Sequence, residues 1–277
     1  MTTIKIDGAT RLYGIVGDPV AHVRSAEVYS ELFAAKGLNA ILIPFHVLPE
    51  QFDDTMRGLM ALGNLDGLLV TAPYKARAVT FAARLGATAR CIGALNALRR
   101  ETDGTWSGDM FDGAGFVRGA ERKGETLRGR RVALYGAGGA GSAIACELAK
   151  AGVASIAILD PQTARAVSLA KNMGEAFPGC AASAAASLPA DVDMIVNASM
   201  VGMRPGDGLP GAIGALTANV LVGDVVLSEE PTTIIQHAIR HGCDYVTGRD
   251  MHAGQVDALM AFFAPKQVSP KHPVTSH

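Results

Sequence analysis

The chemistry open to this chain is concentrated in two places, a lysine and an aspartate in the first half and a glycine run near the middle. Lys75 stands two residues after Pro73, which closes the apolar run 67–72, and Asp112 stands where a helical stretch over 113–123 begins. In α/β folds such strand and helix ends open on clefts, so the two side chains are expected to face the same gap. A lysine can take or give the proton of an alcohol while hydride leaves or joins its carbon, provided its surroundings bring the pKa down from about 10.4. A neighbouring carboxylate works against that shift. The pair therefore reads either as a proton-shuttling dyad, with Asp112 orienting Lys75, or as two binding groups for a ring hydroxyl.

The glycine run supplies what a hydride transfer needs beside a proton relay. Val132 to Tyr135 is an apolar run of strand length, and it breaks into Gly136, Gly138 and Gly141, the G-x-G-x-x-G spacing, before a helix over 142–151. The first glycine permits a tight turn and the second lets backbone approach a pyrophosphate. The third allows close packing of helix on strand beneath the helix's positive end. A second apolar run, 155–159, ends in Asp160, nineteen residues after the last glycine. A carboxylate there accepts hydrogen bonds from ribose hydroxyls and repels a 2′-phosphate, which favours NAD over NADP, although Arg165 lies close enough to reach a phosphate.

Positioning these groups requires alternating strands and helices, and the chain supplies both in order. Strands are expected over 11–16, 40–47 and 67–72, with helices over 26–35 and from Pro49 onward, where Phe52, Met56, Leu59 and Met60 share one side. Lys75 is expected to open a helical stretch running to Gly86. Asp103-Gly104 fits a tight hairpin between 94–100 and 105–109, which places one antiparallel element in an otherwise parallel sheet. Beyond the glycine run, strands are expected over 193–198, 219–226 and 245–247, and helices over 232–241 and 255–263. The Ala- and Ser-rich segment 179–190 reads as a surface connection. The expected architecture is α/β in two domains, a mostly parallel substrate and catalytic domain over 1–112 and a Rossmann dinucleotide-binding domain over 113–247. A helical segment over 248–266 returns to the first domain, and 267–277 reads as a disordered tail.

Six runs, GIVGDPVAHVRS (14–25), VTAPYK (70–75), GALNAL (93–98), GDMFDG (108–113), GAGGAG (136–141) and NASMVGM (197–203), stand in this order. They resemble the motifs of the shikimate/quinate dehydrogenase family. The resemblance implies that Lys75 and Asp112 face the reacting hydroxyl and that Ser25 contributes to a carboxylate pocket. It also implies that Thr71 and Asn96 bind ring hydroxyls and that Gln255 reaches substrate from the last helix. The cofactor positions implied are Gly136, Ala137, Gly138, Gly139, Ala140, Gly141, Asp160, Asn197 and Gly248. Where NADP-specific members carry an Asn-Arg-Thr run, this chain has Asp160-Pro161-Gln162, which again points to NAD.

Departures from the family pattern fall on the substrate side. Val23 replaces one of two hydroxyls expected at the substrate carboxylate, a loss of about 1.5–3 kcal/mol or roughly ten- to a hundredfold in affinity. Leu69, Ala72, Met110 and Phe111 make the pocket more apolar, and the aromatic residue common near the strand-end aspartate is absent from 224–227. The expected function is NAD-dependent interconversion of a ring hydroxyl and a ketone, shikimate to 3-dehydroshikimate first, in the formation of aromatic amino acids. The alternatives are a dinucleotide-binding sensing or regulatory protein without turnover, and a dehydrogenase for an aminoshikimate-like or other cyclic hydroxy acid. Structural readings stand beside the functional ones: Asp112 and Ser25 as helix N-caps, Asn96, Thr71 and Gln255 as backbone-satisfying residues, Arg24 as a solvated side chain and His22 as a turn residue.

Composition sets the remaining bounds. At 277 residues and 49% hydrophobic content the chain can bury two cores, and a formal net charge of −1 gives no electrostatic reason for a nucleic acid or anionic membrane partner. The four cysteines are far apart without a C-x-x-C pair, and read as packing residues of a reduced, cytoplasmic protein. The seven histidines show no metal-ligand spacing, so no metal is expected. A small cyclic hydroxy acid is the expected partner of a monomer or homodimer.

Overall fold

A computed structural model of the chain describes residues 6–21, 23–204 and 206–264. Its aliphatic runs are short because each crosses one layer of a sheet covered on both faces by helices and turns. The first half comprises β1 (Arg11–Gly17), α1 (Ser25–Ala35), β2 (Ala40–His46), α2 (Phe52–Ala61), β3 (Leu65–Val70) and β4 (Arg84–Leu85). It continues with α3 (Ala87–Ile92), β5 (Ala97–Arg100), β6 (Trp106–Asp109) and α4 (Asp112–Arg122). These strands form one six-stranded sheet in the order β2-β1-β3-β5-β6-β4. Only β5 runs against its neighbours, paired antiparallel with β3 and with β6, which is the hairpin expected at Asp103-Gly104.

The second half holds β7 (Arg131–Tyr135), α5 (Gly139–Lys150), β8 (Ser155–Leu159), α6 (Thr163–Ala176), β9 (Ala181–Ala184) and β10 (Met194–Asn197). It closes with β11 (Leu221–Asp224), α7 (Thr233–Arg240), β12 (Tyr245–Val246) and α8 (Gly248–Phe263). Its sheet, ordered β12-β11-β10-β7-β8-β9, is parallel throughout. Here β7 carries Val132 and Leu134 into one core with Phe116 and Ile144, while Ala133 and Tyr135 face a second with Ile234 and Ile235. That alternation is the period-2 face rule applied to a strand buried on both sides.

Helix α8 starts from a capping box in which Thr247 and Asp250 exchange side-chain and backbone hydrogen bonds. Its far end returns to the first sheet, where Leu259 and Phe263 pack with Ile15, Phe33, Leu69 and Ala97. The approach of α8 to α4 is backbone on backbone. A Cβ at Gly254 would meet the Gly115 carbonyl oxygen at 2.2 Å, and one at Gly119 would meet that of Asp250 at 2.8 Å.

Four expectations need correction. Residues 75–86 form a short 3₁₀ turn (Arg77–Phe81) and the edge strand β4 instead of a helix, because β4 pairs with β6 and that pairing outweighs the alanine-rich helical propensity. The segment 179–190 contains β9, an edge strand of alanine and serine with no apolar alternation to reveal it. Helix α6 was not expected, and α8 begins at Gly248, where the returning helical segment was expected to start and seven residues before the helix expected over 255–263. The expected tail, 267–277, and His22 lie outside the described residues.

Candidate active site

Three side chains from distant parts of the chain converge on one carboxylate. Asp112, the first residue of α4, accepts from Lys75 Nζ through Oδ2 at 2.9 Å. Its Oδ1 accepts from Asn96 Nδ2 and from Gln255 Nε2, each at 2.7 Å. Phe111 flanks the helix start and no side chain caps it, so Asp112 is not serving as an N-cap. The side chain of Asp112 is 13% exposed and that of Lys75 is 34% exposed. The carboxylate is thus largely buried while the ammonium is partly open to solvent.

Local structure explains why Lys75 sits there. The chain leaves β3 at Thr71, and Tyr74, stacked on Phe52 at 4.2 Å, donates its hydroxyl proton to the Val47 carbonyl. The Lys75 carbonyl accepts from the Leu95 N–H at 2.9 Å. Backbone on both sides of Lys75 is therefore held, and the side chain is aimed by buried contacts. Asn96 does similar work for Asp112: its Oδ1 accepts the Phe111 N–H at 2.9 Å, fixing the turn before α4. Neither Tyr74 nor that bond was visible in the sequence, since both depend on partners distant in the chain.

Thr71 and Ser25 stand outside this hydrogen-bonded cluster. The Thr71 methyl packs so closely that a Cβ at Gly17 would meet it at 2.2 Å, and its hydroxyl makes no hydrogen bond among the described residues. Ser25 is the first residue of α1 and not its cap, which is Arg24, and its hydroxyl is likewise unpaired among the described residues. Arg24 pairs with Glu27 in an exposed ion pair, as expected for a solvated side chain. Val23, Ala26, Phe111, Val256 and Phe262 pack on the core of this side, with Phe111 and Phe262 rings 4.8 Å apart. These positions give this side of the first lobe an apolar wall, with Arg99 stacked over the Phe262 ring.

The glycine turn tests whether a dinucleotide fits. Gly136 has φ +101°, a left-handed conformation that suits glycine, and a Cβ there would meet the Ala198 carbonyl oxygen at 2.8 Å. A Cβ at Gly141 would meet the Gly136 carbonyl oxygen at 1.9 Å, so α5 rests directly on the turn. At Gly138 and Gly139 a Cβ would meet nothing within 4 Å, so this side of the turn is open. No side chain caps α5, which leaves first-turn N–H groups to meet a pyrophosphate. Asp160 lies at the edge of this cradle, accepting from Ala137 N–H through Oδ2 and from Gln162 N–H through Oδ1, both at 2.8 Å. The residues present fit a nicotinamide dinucleotide.

Two cofactor expectations change in kind. Asn197 is 1% exposed, and its amide donates to the Val201 carbonyl at 2.8 Å and to Asp224 Oδ1 at 3.0 Å. It shapes the loop after β10 and does not present its side chain to the cradle. Burial pushes the Asp224 carboxyl up from the usual carboxylate range, against the hydrogen bonds that Thr232, the Val226 N–H and Asn197 give it. Gly248 is required by close packing, since a Cβ there would meet the Val226 carbonyl oxygen at 2.4 Å. Met200 and Met203, in the loop after β10, are exposed.

Comparison with known proteins follows the same division of the chain. Residues 15–98 match the shikimate dehydrogenase substrate binding domain, and residues 118–202 match shikimate / quinate 5-dehydrogenase. A relative from Rubrobacter xylanophilus, a shikimate dehydrogenase (NADP(+)), is 37% identical over 91% of this chain and 89% of its own length. This chain belongs to the shikimate/quinate dehydrogenase family. It is an oxidoreductase of the NAD(P)-dependent alcohol dehydrogenase type, and the resemblance read from its six ordered motifs holds.

Solved structures of the family share the two-lobed architecture. Shikimate 5-dehydrogenase from Listeria monocytogenes, crystallised with shikimate and NAD, superposes with a TM-score of 0.84 at 28% identity over 91% of each chain. The ligand-free 5-ketofructose reductase of a Gluconobacter strain superposes with a TM-score of 0.85 at 27% identity, over 94% of this chain and 95% of its own. Among the described residues of this dehydrogenase no helix is long and apolar enough to cross a membrane, and no cluster of His, Cys, Asp and Glu is placed to hold a metal.

Proposed function

We propose that this dehydrogenase interconverts a ring hydroxyl and a ketone on a shikimate- or quinate-type hydroxy acid, with shikimate and 3-dehydroshikimate as the leading pair. Residues 1–112 with 248–266 form the substrate side and 113–247 the dinucleotide side. The observation that carries this reading is the contact of Lys75 Nζ with Asp112 Oδ2 at 2.9 Å. Bound nicotinamide dinucleotide supplies the hydride acceptor or donor. Lys75 and Asp112 handle the proton. One ammonium proton points at Asp112, which leaves the other positions of the nitrogen for a substrate hydroxyl, and Asp112 Oδ2 stands where it can take a proton from Nζ. The two amides on Oδ1 keep that carboxylate from turning. On this reading the hydroxyls of Thr71 and Ser25, which make no hydrogen bond among the described residues, bind oxygen atoms of the substrate.

NAD is proposed over NADP on the charge of Asp160, although curated relatives such as the Rubrobacter protein are named for NADP(+). A 2′-phosphate entering beside that carboxylate meets like charge in the one place where ribose hydroxyls find an acceptor. Asp160→Asn keeps an oxygen for the Ala137 N–H and removes the charge. Its ratio of kcat/KM for NAD to that for NADP is expected to fall by at least about tenfold. A wild-type enzyme that already uses both cofactors equally overturns the assignment.

A second reading rests on the apolar wall. Val23 and Phe111 offer a charged substrate group nothing to bond, and the 5-ketofructose reductase likeness is as extensive as that to the shikimate enzyme. An uncharged polyhydroxy ketone suits such a wall. Spectrophotometric turnover of shikimate, quinate, their amino and deoxy analogues, and 5-ketofructose with each cofactor separates the readings. Turnover of the ring acids supports the first, and turnover of the ketose alone supports the second. Tight dinucleotide binding without turnover across the panel overturns both in favour of a sensing role.

A further inference from the structure

The four cysteines are all free thiols and all buried, yet two of them are neighbours. Cys91 lies on α3, within the stretch matched to the substrate-binding domain, and Cys146 lies on α5, behind the glycine turn. Helix α3 packs against α5 and α6, and both cysteines belong to one hydrophobic cluster. The two thiols act on each other across this junction of the two halves, where α3 packs on α5. The surroundings are unequal. Cys91 is 8% exposed and forms part of an open cavity of about 370 Å³, lined also by Ala87, Arg90, Asn172, Glu175 and Ala176. Cys146 is 0% exposed.

Inequality of this kind sets an order of reaction. The neighbouring Cys146, helped by the Lys150 ammonium on α5, pulls the Cys91 thiol below the usual thiol range against its burial. The neighbouring Cys91 and burial together push the Cys146 thiol up. Lys150 is shared with Thr88 on α3 and with Glu147, so its charge is held beside the pair. Burial alone raises Cys180 and, with the nearby Asp244, Cys243, and neither has a second thiol beside it.

We propose that Cys91 and Cys146 form a peroxide-reactive dithiol, with Cys91 the attacked site facing the cavity and Cys146 the resolving thiol that closes a disulfide between the two halves. The Cys91 thiolate attacks one oxygen of hydrogen peroxide; an S–O bond forms, the O–O bond breaks and hydroxide leaves. The Cys146 sulfur then attacks the Cys91 sulfenic acid; an S–S bond forms, the S–O bond breaks, and the leaving hydroxide takes up a proton. In sum two thiols lose two electrons and peroxide becomes two waters. This chemistry is independent of which alcohol the enzyme oxidises.

Native full-length protein is to be treated with equimolar hydrogen peroxide, quenched with an alkylating agent and mapped by peptide mass spectrometry. A Cys91–Cys146 linked peptide that disappears on reduction is expected. Cys91 is expected to be consumed at least about tenfold faster than Cys180 or Cys243. In Cys146→Ala, Cys91 is expected to stop at the sulfenic acid and be trapped by a cyclic 1,3-diketone. Should that variant fail to fold, Cys91→Ala at the cavity wall serves instead, with complete loss of the linked peptide and an unoxidised Cys146. A different cysteine pairing, or a Cys91 no more reactive than Cys180 and Cys243, overturns the proposal.

Discussion

Replacing Lys75 with alanine is expected to lower turnover at least about a hundredfold while dinucleotide binding stays near that of the wild type. The loss corresponds to about 2.7 kcal/mol of transition-state stabilisation, within the range a positioned proton-transfer group supplies. Destabilisation does not account for a loss of that size. The Lys75 side chain is 34% exposed, and ion pairs open to solvent contribute about 0–1 kcal/mol. Asp112 keeps two amide donors after the lysine is gone, so the start of α4 remains held. The glycine turn takes no part in this contact, which is why cofactor binding serves as the internal control. Lys75→Arg sharpens the test, because arginine keeps the charge and cannot give up its proton in this range. If arginine restores turnover, Lys75 binds and orients without moving a proton; if alanine turns over normally, Lys75 has no part in the reaction.

What the sequence disclosed was local, and what it concealed depended on residues far apart in the chain. The turn at Gly136, Gly138 and Gly141 is a pattern of six residues, and Gly136 and Gly141 have the steric reasons assigned to them, a left-handed turn and close packing of α5 on that turn. The nearness of Lys75 and Asp112 was legible from their places at element ends. That Asn96 and Gln255 both close on the same oxygen of Asp112 was not, since Gln255 is 143 residues from its partner. Asn197 also has partners the sequence did not disclose, since the fold buries its amide against Asp224. Helix propensity misled at 75–86, where pairing with β6 decides the conformation, and alternation was silent at β9, whose edge position demands no apolar face. The cysteine pair was invisible for the same reason as Gln255: only the packing of α3 on α5 brings the two together.

Gly254→Ala is expected to destabilise the protein, although the same change usually strengthens a helix. Alanine gains about 1 kcal/mol over glycine in a helix interior. Against that gain, the new methyl carbon would lie 2.2 Å from the Gly115 carbonyl oxygen and 2.9 Å from the Gly119 nitrogen. Both are backbone atoms of α4, so no side chain can rotate aside and the two helices must separate. Overpacking of this kind costs about 1–3 kcal/mol, and backbone contacts place the cost at the upper end, so the clash outweighs the propensity. A net loss of about 1–2 kcal/mol corresponds to a fall of roughly 2–8 °C in Tm for a domain of this size. Gly58→Ala in α2 is the matched control, because a Cβ there meets nothing within 4 Å, and it is expected to raise Tm. The neighbour of Gly254 gives the variant a second readout. Gln255 reaches Asp112 at 2.7 Å only while α8 rests on α4, so separation of the helices is expected to raise KM for the substrate together with the loss of stability. Equal and positive shifts in Tm for the two glycine variants would show that α4 and α8 are not held in backbone contact, and that Gln255 is not placed by it.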